Sequence, residues 1–88
     1  MNILKDSAGA VSSTHIKKRG FEVFETAKSN DMGQVIEMPQ YQNDEIQIVG
    51  GYWNYIVKNR KTGATIWSGW WNSNDEFDET MNILLVKI

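Results

Sequence analysis

From residue 21 onward, apolar side chains recur mainly at a spacing of two, the period of strands. A helical spacing takes over near the C-terminus. Residues 21–27 read as a first strand, with Phe21 and Val23 on one face and Phe24 on the other. Ile16, Val23, Phe24 and Ala27 also fit a 3.6-residue period, but that helix would hold Gly20 in its interior, at a cost of about 1 kcal/mol. Residues 28–33 have turn chemistry in Ser29, Asn30, Asp31 and Gly33. Residues 34–38 read as a second strand, ended by Pro39, which cannot donate to a ladder. A polar loop at 40–44 and a third strand at 45–49 follow, and Gly50 and Gly51 break this strand or make a bulge.

The next segment is the most distinctive. All four tryptophans, Trp53, Trp67, Trp70 and Trp71, lie within 52–71 beside Tyr52 and Tyr55. Residues 52–59 and 64–71 read as the arms of a hairpin. Its turn, Arg60-Lys61-Thr62-Gly63, fits a three-residue loop with a left-handed glycine. In that register Arg60 pairs with Ala64, Val57 with Trp67, Tyr55 with Gly69 and Trp53 with Trp71. One face then carries Trp53, Tyr55, Val57, Trp67 and Trp71, a core face, with Gly69 leaving room for the Tyr55 ring. The other face is mixed: Tyr52, Asn54, Ile56, Lys58, Ile66, Ser68 and Trp70. A four-residue loop would instead set Ile56 against Trp67.

Two helices complete the pattern. Ser73-Asn74-Asp75-Glu76 is a capping box, and Phe77, Met81 and Leu84 or Leu85 form an apolar stripe behind it. The branched residues 83–88 point to a helix end near Asn82 and a last edge strand, with helix to the terminus as the alternative. Near the N-terminus Val11, His15 and Ile16 are loosely helix-spaced, and Lys17, Lys18 and Arg19 before Gly20 resemble a helix end. The expectation is therefore an α+β fold: an antiparallel sheet of four to five strands against one short acidic helix, with a weak N-terminal helix. Residues 1–88 are read as one small domain, with 1–7 a frayed arm.

Composition narrows the function classes. A hydrophobic share of 41%, a charged share of 23% and a net charge of -2 suit a folded globular chain and argue against a basic duplex-DNA binder. Cysteine is absent, which removes disulfides, thiolate metal sites and thiol nucleophiles and suits a cytoplasmic setting. No apolar run reaches membrane-spanning length, and no signal-peptide core follows Met1. No phosphate-cradling glycine loop, nucleophile elbow or zinc-protease motif occurs. His15, the single histidine, has no nucleophile or second histidine at a recognisable spacing and reads as an exposed helix residue. Asp75, Glu76, Asp78 and Glu79 lack the glycine and alternating ligands of a calcium loop, and the helix dipole accounts for them. No metal, cofactor or catalysis is expected.

The expectation for function is a non-enzymatic macromolecule-binding protein with a protein partner. Its contact would be the mixed hairpin face, Trp70, Ile56, Ile66, Asn54 and Lys58, or the acidic face Asp75, Glu76, Asp78 and Glu79. The bland alternative is that the N-terminal helix covers Trp70, Ile56 and Ile66. A second reading is single-stranded nucleic-acid binding through Trp70 and the basic tip Lys58, Arg60 and Lys61. A third is a self-associating subunit, a homodimer through the mixed face. By composition alone, small cysteine-free chains rich in Asn, Ile and Lys are frequent among phage and mobile-element accessory proteins, many of them inhibitors.

Overall fold

The structure, a computed structural model, describes residues 2–4, 11–51 and 54–87. The elements are β1 (Asn2–Leu4), α1 (Ser13–Lys18), β2 (Glu22–Asp31), β3 (Gln34–Gln42), β4 (Ile46–Gly50), β5 (Tyr55–Asn59), β6 (Thr65–Gly69) and α2 (Asn74–Lys87). This is an α+β fold. The strands β2 to β6 form an antiparallel meander, and β1 adds a short parallel pairing to β3. Since β2 lies along the whole of β3, β1 at residues 35–37 and β4 at 41–42 share the other edge of β3.

A row of side chains crosses four strands on one face: Tyr41, Ile48, Val57 and Trp67 stand opposite one another in sequence. Both helices pack on this face. Ile16 of α1 and Phe77, Met81 and Leu84 of α2 join Val11, Phe21, Tyr41, Ile46, Ile48, Tyr55, Val57 and Trp71 in one buried cluster. The next row, Val49, Ile56 and Ser68, faces the opposite way. The N-terminal helix therefore does not cover Ile56; it lies beside α2, tied to β3 by a hydrogen bond from the Tyr41 hydroxyl to Ser13 Oγ.

The helix ends follow the capping residues. Ser12 Oγ accepts from His15 N–H at the start of α1, and Gly20 takes φ +97° just past its end. Ser73 Oγ accepts from Glu76 N–H at the start of α2. The expected edge strand at 83–88 is corrected: α2 runs on to Lys87. Branched Ile83 and Val86 cost a helix only a few tenths of a kcal/mol each. Burying Leu84, one turn beyond Met81, returns about 1.5–3 kcal/mol. Packing outweighs propensity.

Two further boundaries move. Lys28 to Asp31 are strand, not turn, because the β2–β3 connection is only Met32 and Gly33, with φ +52° and +80°. Two positive φ values in a two-residue loop match the twist of the flanking strands, so no longer turn is needed. Pro39 does not end β3, which continues to Gln42. It falls between the stretches paired with β1 and with β4, so on that edge its missing N–H breaks no ladder bond. Where β3 and β4 part, the side chain of buried Gln40 takes over: Oε1 accepts from Gly50 N–H at 2.7 Å and Nε2 donates to Gly50 O at 3.0 Å. The amide acts as one more peptide unit of the sheet.

The aromatic hairpin keeps its expected pairing by an unexpected route. Asn59 N–H donates to Ala64 O, so the loop has four residues, and Gly63 N–H returns to Asn59 O. That loop alone would shift the register by one. A bulge at Ile66 restores it, and Tyr55 still faces Gly69 and Val57 still faces Trp67. Gly69 does not accommodate Tyr55, as expected, but the Trp67 ring, whose atoms lie 3.0 Å from where a Cβ would stand. β5 begins at Tyr55, and the pairing of Trp53 with Trp71 and the placement of Tyr52 lie outside the described residues. So do residues 5–7 of the expected arm and Ile88, whereas Asn2–Leu4 is paired to β3.

Met32 holds a left-handed conformation at 97% exposure, which burdens an L side chain without offering it a contact. Met32→Asn should raise stability by about 1 kcal/mol, read as a higher urea midpoint at unchanged m.

Candidate functional site

The described aromatic residues of the hairpin, Tyr55, Trp67, Trp70 and Trp71, form one continuous stack rather than two separate faces. Trp70 stacks on Tyr55 at 4.9 Å, Tyr55 meets Trp71 at 4.7 Å, and Trp71 lies parallel to Trp67 at 4.8 Å and 1°. Phe77 stands edge-on to Trp71, and Phe21 and His15 stand edge-on to Phe77. Trp71, 1% exposed, is the centre of the chain of rings. Its indole N–H donates to Thr80 Oγ1 at 2.9 Å, and the Thr80 hydroxyl donates to Glu76 O one turn back. The buried tryptophan thus fixes the position of α2 over the sheet.

The residues singled out on the mixed face do not share a surface. Trp70 and Ile66 are half-buried and pack against the core cluster. Half-buried Ile56 lies on the face away from the helices, near half-buried Lys58, and Asn54 is exposed before β5. The glycine at 69 and the bulge at Ile66 account for this, because both change the simple alternation on which the two-face assignment rests.

The basic tip is also split. Arg60 donates from Nη1 to Asn43 O at 2.7 Å and from its backbone to Glu45 O, bracing the β3–β4 turn. Lys61 is exposed. Asn59 Oδ1 accepts from the Lys61 and Thr62 amides and so shapes the loop itself.

The acidic helix has two unlike flanks. On one, residues 74, 78 and 82, spaced by four, meet α1 in a ladder. Asn74 Oδ1 accepts from Ser12 N–H at 3.0 Å, Asp78 Oδ1 contacts His15 Nε2 at 2.7 Å, and Asn82 Oδ1 accepts from Arg19 Nη2 at 3.0 Å. Arg19 Nε adds an ion pair to Asp78 at 3.5 Å. The expected exposed His15 is corrected: it is half-buried, and with Asp78 it forms a joint between the helices. Asp75, Glu76 and Glu79 remain exposed. Among the described residues no three His, Asp or Glu side chains converge on a point that could hold a metal ion, and no helix is long and apolar enough to cross a membrane.

The other flank of α2 borders a feature that sequence reasoning missed. Trp67, Glu79, Thr80, Ile83 and Leu84 line an open groove of about 160 Å³ beside β6. Ile83 is 57% exposed there, and farther along α2 Val86 is exposed as well. Placing a helix end at Asn82 hid this flank. Carried to Lys87, the helical period alone would have set Ile83 on the turn after Glu79 and Thr80. Outward of β6 no strand pairs among the described residues. No family model, curated protein or solved structure matches the chain.

The ring stack ranks its own members. Trp71→Ala should cost about 3–5 kcal/mol, as a fully buried aromatic does. Trp70→Ala should cost about 1–2 kcal/mol, the worth of one stack with partial burial. Urea unfolding followed by far-UV circular dichroism measures both.

Proposed function

We propose that this chain is a non-enzymatic protein-binding domain, and that the groove between β6 and the outer flank of α2 is its contact surface. The observation that carries this reading is the exposed apolar flank at Ile83, set beside half-buried Trp67 and a sheet edge with no partner strand among the described residues. Apolar area left in a concave position next to a large aromatic is what a protein hot spot needs. The ladder to α1 supports the reading from the other side. It engages the His15, Arg19 and Asp78 groups with one another, and a joint between the helices accounts for them. Trp70, the anchor first singled out, is half-buried and stacks on Tyr55, which makes it part of the aromatic packing. Arg60 and Trp70 would have to serve a nucleic acid together. Here one braces a turn and the other stacks on a tyrosine, which favours a protein partner. A phage or mobile-element inhibitor is one setting in which such a domain would act.

A photo-crosslinking amino acid at position 83 tests the proposal in extract of the source cells. The expected result is a discrete protein adduct that is absent when the same probe stands at Lys18, on the α1 side. Adducts to nucleic acid, or to the chain itself, would replace this reading with one of the other two.

A further inference from the structure

The two helices leave the sheet unequally covered. α1 sits over β3 through Tyr41 and Ser13, and its ladder binds the residue 74, 78 and 82 flank of α2. The opposite flank, with Glu79, Thr80 and Ile83, overhangs β6 at the end of the meander. Two kinds of surface left uncovered among the described residues therefore meet along one line. One is the outward row of backbone N–H and C=O groups of Thr65–Gly69, a template for a further strand. The other is the apolar groove between Trp67 and Ile83.

An extended chain laid along β6 satisfies both at once. Its backbone continues the ladder, and every second side chain points to the helix-covered face, where the groove lies. Charge decides what those side chains are. The rim of the groove is Glu79, with exposed Asp75 and Glu76 on the preceding turn of the same helix. The cations of the described ion pairs, Arg19 and Lys28, are engaged with Asp78 and Glu37. A second copy of this chain fits poorly, because two-fold pairing of β6 with β6 sets the two Glu79-bearing flanks against each other.

Resting on the protein-binding reading above, we infer that β6 takes up an extended segment of a partner protein. One apolar side chain of that segment sits between Trp67 and Ile83, and a Lys or Arg two positions away opposes Glu79. The backbone supplies most of the affinity, and the apolar and basic positions supply the choice of segment. A helical ligand in the groove would use the same side chains but leave the edge of β6 unpaired.

Short synthetic peptides test this with the full chain. The probe is a threonine-rich peptide with a central leucine flanked two positions away by lysines, titrated by tryptophan fluorescence and by backbone amide shifts. Binding should shift the amides of residues 65–69. Replacing the lysines by glutamate should weaken it, and Glu79→Lys should reverse that preference by roughly three- to tenfold, the reach of an exposed charge pair. Backbone N-methylation at alternate peptide residues gives the sharpest test. One of the two alternating patterns should abolish binding and the other should leave it, since only one set of N–H groups faces β6. Equal tolerance of both patterns would overturn strand addition, and so would absence of binding at millimolar peptide. In either case a protein adduct at position 83 that survives would leave the protein-binding reading standing with a different mode. Loss of that adduct together with the peptide would remove both. Ile83→Glu, a change at an exposed site, should abolish peptide binding while leaving the unfolding midpoint nearly unchanged.

Discussion

The packing of Trp71 is the interaction on which the rest of the structure depends. It lies two residues past the end of the last strand, and its ring packs on Tyr55 and Trp67 and stands edge-on to Phe77. A large side chain buried to this degree removes more apolar area from water than any other in the core. Its indole N–H must also find a partner, and Thr80 supplies one. That bond ties the Thr80 turn of α2 to the end of the sheet. In this placement Phe77, Met81 and Leu84 are buried and the opposite flank lies above β6. An aromatic excess that looked like binding capacity is largely the means of attaching a helix to a small sheet.

The polar residues divide by flank in the same way. Ser12, His15 and Arg19 meet Asn74, Asp78 and Asn82 one rung at a time, so α1, only six residues long, is held by partners rather than by its own hydrogen bonds. A helix so short would not persist alone in water. Consuming Asp78 in this joint leaves Glu79 as the carboxylate that lines the groove. The packing of the two helices thus separates the acidic side chains of α2, and Glu79 gives the groove its sign.

The register of the hairpin shows how a sequence argument can reach a correct pairing through an incorrect turn. A three-residue loop and a four-residue loop with a bulge differ by one residue in each arm, and the two differences cancel at Val57 and Trp67. Strand pairing is set by burying Tyr55, Val57 and Trp71, and the loop adjusts to it. The same reasoning explains Pro39 and Gln40. A proline read alone ends a strand, and a glutamine read alone belongs to a loop. In place, one occupies a gap between two neighbouring strands and the other stands in for a missing peptide group.

Some features depend on nearest neighbours in the chain and were therefore legible in it. These are the α+β class, the serine cap of α2, the glycine end of α1, the strands of the aromatic hairpin and the core role of Trp71. Each rests on spacing or on a local hydrogen bond that forms with little help from elsewhere. The tertiary structure alone decided the rest: that α2 runs to Lys87, that both helices share one face, that Trp70 and Ile66 pack inward while Ile56 does not, and that a groove opens between α2 and β6. In each case the local preferences differ by a few tenths of a kcal/mol, and burial of a leucine or a tryptophan against a distant strand is worth several times more. The candidate site belongs to this second group, because a groove is made by two elements and no single stretch of sequence contains it.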